Sequence, residues 1–78
     1  MYKDKGGRAG QDMEITVNGE KKSCSDPTTV EELLLSLGIK ASSVVVERNF
    51  QIVARTDFEH ELVLEGDTIE IIRLVGGG

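Results

Sequence analysis

Three glycines, Gly76-Gly77-Gly78, follow directly on the alternating segment Thr68-Ile-Glu-Ile-Ile-Arg-Leu-Val. Side chains without a Cβ cannot pack, and glycine loses the most backbone freedom on ordering. These residues are therefore expected to project as a mobile tail with the α-carboxylate of Gly78 at its tip. From Val75 to Gly78 the reach is roughly 10 to 14 Å. Such a tail can thread a narrow channel and leave its terminal carbonyl open to attack from either face. The chemistry this suits is acyl activation and transfer. A chain-end carboxylate with a pKa of about 3.3–3.7 is ionised at neutral pH and resists nucleophiles, so it needs prior activation, for example by transfer to AMP. The sequence has no Gly-x-x-x-x-Gly-Lys phosphate loop, no dinucleotide-binding fingerprint and no clustered acids of a metal-nucleotide site, so the ATP step is assigned to another protein. The competing interpretation is a frayed end or a tagging scar.

Other reactive side chains are few. Cys24 is the single cysteine and His60 the single histidine. Together they cannot supply a structural zinc site or an internal disulfide, so no metal site is expected and packing alone must hold the fold. Nothing beside Cys24 in sequence would clearly lower its thiol pKa, and it reads as a small buried hydrophobe. His60 has no neighbouring nucleophile or acid and reads as a surface residue.

The elements that must carry the tail are legible in the pattern. Met13-Glu-Ile-Thr-Val alternates with the period of a half-buried strand, and Asn18-Gly19 is a strong hairpin turn into a second strand, Glu20 to about Cys24. Pro27 ends it. Thr29 and Glu32 stand at capping-box spacing ahead of Val30, Leu33, Leu34 and Leu37, an amphipathic helix of two to three turns that Gly38 is placed to end, with Ile39 packing back. Val44-Val45-Val46 predicts a strand covered on both faces, and a short fourth strand at Ile52-Val53 follows a turn near Asn49. Arg55 to Glu61 reads as a loop or helical turn pinned by Phe58. Gly66-Asp67 turns the chain into the last strand.

One helix of this size covers one face of a four- to five-stranded sheet, a two-layer α+β packing. If the first and last strands lie side by side at the centre, they are parallel and the fold is the β-grasp, or ubiquitin-like, fold. The 78 residues allow one domain, assigned to 13–78, with 1–12 set aside as a disordered extension or expression remnant. The net charge is −5, the first twelve residues contributing +1 and the rest −6. No basic cluster suits nucleic acid, no apolar run suits a membrane span and no secretory signal is seen, so a soluble, monomeric, cytoplasmic protein is expected. In the last strand Ile69 and Ile71 share one face, Ile72 and Leu74 the other. Ile72, Arg73, Leu74 and Val75, beside the tail, are the candidate partner-docking residues; the alternative is that both sheet faces are partly covered. Glu47, Asp67 and Glu70 read as a solvated face or as steering charges for a basic partner.

The segments Met-Glu-Ile-Thr-Val-Asn-Gly-Glu, Thr-Val-Glu-Glu-Leu-Leu, Val-Val-Val-Glu-Arg-Asn-Phe-Gln-Ile-Val-Ala-Arg and Leu-Glu-Gly-Asp-Thr-Ile-Glu-Ile-Ile-Arg-Leu-Val-Gly-Gly-Gly together resemble the ThiS-type sulfur carriers of thiamin thiazole biosynthesis. The resemblance spans 13–78. It implies that an E1-like adenylyltransferase uses ATP to adenylate Gly78, that a sulfur donor converts the acyl-adenylate to a thiocarboxylate, and that thiazole synthase accepts the sulfur. By that motif Gly77 and Gly78 are the functional diglycine, with Gly76 threading beside them. The protein would then be a carrier and cosubstrate, not an enzyme, with no permanently bound cofactor. A carrier like the small subunit of molybdopterin synthase, or a ubiquitin-like interaction module, is the alternative. Asn49-Phe50 departs from the Asn-Gly turn frequent in the family and leaves that turn's geometry open.

Overall fold

The computed structural model describes residues 11–75, and the expectations for residues 1–10 and for Gly76, Gly77 and Gly78 lie outside the described residues. Asn18 and Gly19 adopt φ of 49° and 84°, the left-handed pair that a two-residue turn needs to match strand twist. That turn fixes the register of β1 (Gln11–Val17) on β2 (Glu20–Asp26), pairing Met13 with Cys24 and Gln11 with Asp26. The first strand therefore starts two residues before the patterned segment. Gln11 and Asp12 are polar and give no alternation signal, but β2 is long enough to pair them.

The helix forms as its capping pattern dictates. Thr29 Oγ1 accepts from the Glu32 amide at 3.1 Å while Glu32 Oε1 accepts from the Thr29 amide at 3.0 Å, opening α1 (Val30–Ser36). Each bond satisfies an amide that the helix itself cannot. Gly38, at φ 72°, ends it: the Ile39 amide donates to Leu34 O and the Gly38 amide to Leu35 O. This Schellman closure lets Ile39 fold back onto the core.

After a short 3₁₀ turn come β4 (Val44–Arg48), β5 (Gln51–Val53), a second 3₁₀ turn at Arg55–Asp57, and β7 (Thr68–Arg73). The main sheet runs β2-β1-β7-β4-β5. β1 and β7 are parallel neighbours at its centre and the remaining pairs are antiparallel, the β-grasp arrangement. Two residues on each side form an additional small sheet, β3 (Thr28–Thr29) with β6 (Leu62–Val63), too short to show a period in sequence.

Met13, Ile15, Val17, Val44, Val46, Val53 and Ile69 line one sheet face and pack with Val30, Leu33 and Leu34 of α1. Phe58 and Val63 close the same core, so the ring does pin its loop. Burial of each such aliphatic side chain contributes about 1.5–3 kcal/mol before entropy is charged against it. The valine run is not covered on both faces as expected. Val44 and Val46 are buried, but Val45 points to the opposite face and is half-buried, because the single helix covers only one side.

The β4–β5 turn keeps its left-handed geometry without glycine: Asn49 has φ 53° and Phe50 φ 71°, and Phe50 is 79% exposed. A phenylalanine at positive φ is strained by its Cβ, at about 1–2 kcal/mol, and an exposed ring recovers little of this by packing. Replacing Phe50 by Gly relieves the strain and adds unfolded-state entropy worth about 0.4–1 kcal/mol, so F50G should stabilise the domain by about 0.5 kcal/mol. A urea denaturation midpoint that falls in F50G contradicts this account.

Candidate functional site

The glycine tail is rooted at the end of β7, and what positions that root is a set of bonds along the strand. On one side the Thr16 amide donates to Asp67 O and the Asn18 amide to Ile69 O, each at 2.9 Å. The Asn18 side chain then carries the pairing past the hairpin, accepting from the Ile71 amide at 2.7 Å and donating to Ile71 O at 3.3 Å. On the other side β4 pairs through Val44 with Arg73, and the Leu74 amide donates to Ser43 O at 2.9 Å. The backbone is thus anchored as far as Leu74.

Of the proposed docking residues, Ile72 is 46%, Leu74 55% and Val75 94% exposed, and Arg73 is also exposed. Ile69 is fully buried and Ile71 packs against the core, so the last strand alternates without a shift of phase. Ile72 lies directly across from Val45. Leu74 borders a shallow groove of about 400 Å³ whose walls include Val45, Ile52 and Ala54. Sequence reasoning missed Val45 and Ile52 as companions of this patch. Their apolar character was visible, but which face they occupy depends on the helix covering the other.

Asp67 proved to be neither a solvated nor a steering charge: it is only 6% exposed. Alternation places Arg48 on the core side of β4 at the rim, where its Nε donates to Asp67 Oδ2 at 2.6 Å and its Nη1 to Glu61 Oε2 at 3.0 Å. Asp67 also accepts from the Leu64 amide at 2.8 Å and from Asn49 Nδ2 at 3.0 Å, while Asn49 Oδ1 accepts from the Thr68 amide at 2.9 Å. These three donors, two on Oδ2 and one on Oδ1, fix the start of β7 to the β4–β5 turn. Burial pushes the Asp67 carboxyl up, but the bonds from Arg48, Leu64 and Asn49 outweigh it and hold the pKa below the ordinary 3.8. The one clue in sequence was an Asp beside a turn glycine, a type that bonds nearby amides.

Burial, together with the charges of Asp12, Asp26 and Glu65, pushes the Cys24 thiol up, against a smaller lowering by Thr28. The thiol is accordingly not activated as a nucleophile. His60 is on the surface beside Glu59, 3.5 Å away. Among the described residues no group of three or more His, Cys, Asp and Glu could hold a metal ion, and no helix is long and apolar enough to cross a membrane.

The profile of a sequence family, ThiS, matches residues 10–78. The chain belongs to the ThiS family of sulfur carriers. It is 34% identical to the sulfur carrier protein ThiS of Bacillus subtilis over 65 residues, 82% of this chain and 98% of that protein. A solved ThiS from Geobacter metallireducens superposes with a TM-score of 0.75 at 35% identity, covering 85% of this chain and 100% of the other. The chain is also 41% identical over 66 residues to a thiazole synthase of Paramagnetospirillum magneticum, covering 85% of this chain but spanning only 20% of that relative's length.

Because the folded-state pKa of Asp67 lies below its unfolded value, its stabilisation is fully present above the ordinary carboxylate range and is lost as pH falls through the depressed value. Asp67→Asn removes the shorter of Arg48's two ion pairs, leaving the one to Glu61, and should cost about 1.5–3 kcal/mol of stability at neutral pH. The variant should also lack this component of acid destabilisation. Equal urea midpoints for D67N and the parent at pH 7 contradict the role assigned to the pair.

Proposed function

We propose that this protein is a sulfur carrier for thiazole formation in thiamin biosynthesis, a cosubstrate whose own terminal carboxyl is changed and regenerated. The observation that carries this reading is the family match over residues 10–78, which runs through all three glycines. In the first step the Gly78 carboxylate attacks the α-phosphorus of ATP on a separate E1-like adenylyltransferase, giving the acyl-adenylate and releasing pyrophosphate. A donor supplying sulfur at the sulfide oxidation level then attacks the acyl carbon. The C–S bond forms, the C–O bond to AMP breaks, and a thiocarboxylate remains at Gly78. Thiazole synthase takes the sulfur: the acyl C–S bond at Gly78 breaks, water supplies the oxygen that replaces it, and the carboxylate is restored.

The division of labour follows from the chemistry on this chain. The sequence carries no Gly-x-x-x-x-Gly-Lys phosphate loop, and the domain's contribution is delivery. Gly76 and Gly77 give a narrow tether, and the sheet gives a rigid base at Leu74 from which a partner can measure the distance to its own reactive centre. Ile72, Leu74 and Val75, with Arg73 at their edge, supply the apolar contact that holds the base against the partner, since grouped exposed apolar residues next to a reactive tail suit a binding surface.

Intact-mass analysis after incubation with ATP, a cognate adenylyltransferase and a sulfur source tests the reading. An oxygen-to-sulfur exchange at the C-terminal glycine is expected, and an unchanged mass overturns it. Deleting Gly78 should abolish thiocarboxylate formation outright, whereas an interaction module would keep binding its partner. Leu74→Asp should lower kcat/KM for adenylation by roughly tenfold or more while leaving the urea midpoint unchanged, because Leu74 is exposed and outside the core. Unaltered adenylation kinetics in L74D remove it from the docking surface.

A further inference from the structure

The face of the sheet turned away from α1 is unpartnered and carries an arrangement the isolated domain gains nothing from. Glu47 and Glu70 sit directly opposite each other on β4 and β7. Like charges in that register repel across the strands. Among the described residues neither is joined to a cation; Arg48 is committed to Asp67 and Glu61 on the other face, and Lys21 lies 3.8 Å from Glu14. The acid pair is framed by apolar side chains. Val45 and Ile72 form the next outward-facing pair towards the tail, and Ile52, 70% exposed, lies opposite Glu47 on β5. Two carboxylates side by side with an apolar surround fit the planar fork of a guanidinium, which offers several donors at once and tolerates desolvation better than an ammonium.

We propose that Glu47 and Glu70, with Val45, Ile52 and Ile72, form a clasp for an arginine on the surface of thiazole synthase. The inference rests on the carrier reading above. Thiazole synthase is favoured as occupant because a relative of that name contains a segment 41% identical to this chain, so that protein holds such a domain within reach of its own body. The geometry agrees with the length of the tail. Three glycines span at most about 10 to 11 Å beyond Val75, so a partner that receives Gly78 must cover the surface next to Leu74. Glu70 is four residues from Leu74, about 14 Å along the strand, which is within the footprint of a standard protein interface. A second copy of this chain fits poorly, since a two-fold contact on this face would set the acid pair against itself.

The test titrates the full chain, wild type and E47Q/E70Q, against the cognate thiazole synthase at low and high ionic strength. The double variant should bind on the order of tenfold more weakly at low ionic strength, with a flatter salt dependence than wild type. Its urea midpoint should be equal or higher, since the cross-strand repulsion is gone. A stability gain alongside an affinity loss is not what a merely structural role would give. Equal affinity of the two proteins for the synthase overturns the clasp alone. Loss of adenylation by the cognate adenylyltransferase with synthase affinity intact also overturns it, by assigning the face to that enzyme. Thiocarboxylate formation on wild type, measured separately, reports on the carrier reading. A wild-type carrier that forms it yet does not bind the synthase overturns the clasp without touching the activation steps.

Discussion

The parallel pairing of β1 with β7 is the constraint on which the rest of the structure depends. A strand at the centre of a sheet is bonded on both sides, and here those bonds run from Asp67 O to the Leu74 amide. Two parallel strands cannot be joined by a tight turn, so the chain between them must cross over, and α1 with its capping box is the crossover that buries the sheet's apolar face. The hairpin turn has a second use. Asn18 permits the positive φ and then lends its amide group to Ile71, extending the ladder where β1 itself has ended.

The sheet holds β7 from its origin to its exit in one geometry. Arg48, Asp67 and Asn49 tie the start of β7 to the neighbouring turn, Ile69 anchors the middle in the core, and the Leu74 amide makes the last bond to β4. A buried ion pair is not an efficient source of net stability, but leaving either partner unpaired is costly, and so the arrangement enforces one geometry at the strand's origin.

The two faces of the sheet carry different tasks. The inner face packs aliphatic side chains against one helix and gives the domain its stability. The outer face leaves Ile72 and Ile52 exposed, Val45 half-buried and Glu47 opposite Glu70, features with a small cost in the isolated domain. Phe50, held at positive φ on an exposed turn, is a further departure from the stability optimum.

Local chemistry decided much of this protein directly from sequence. Alternation gave the strands, Thr29 with Glu32 and Gly38 bounded the helix, Asn18-Gly19 set the first register, and Ile69/Ile71 against Ile72/Leu74 separated inward from outward residues, because each depends on neighbours a few positions away. What required tertiary structure were contacts between residues far apart in the chain. The burial of Asp67 against Arg48, the exposure of one side of the valine run, the two-residue pairing of β3 with β6 and the meeting of Glu47 with Glu70 have no local period. They were settled only when the crossover brought β7 between β1 and β4.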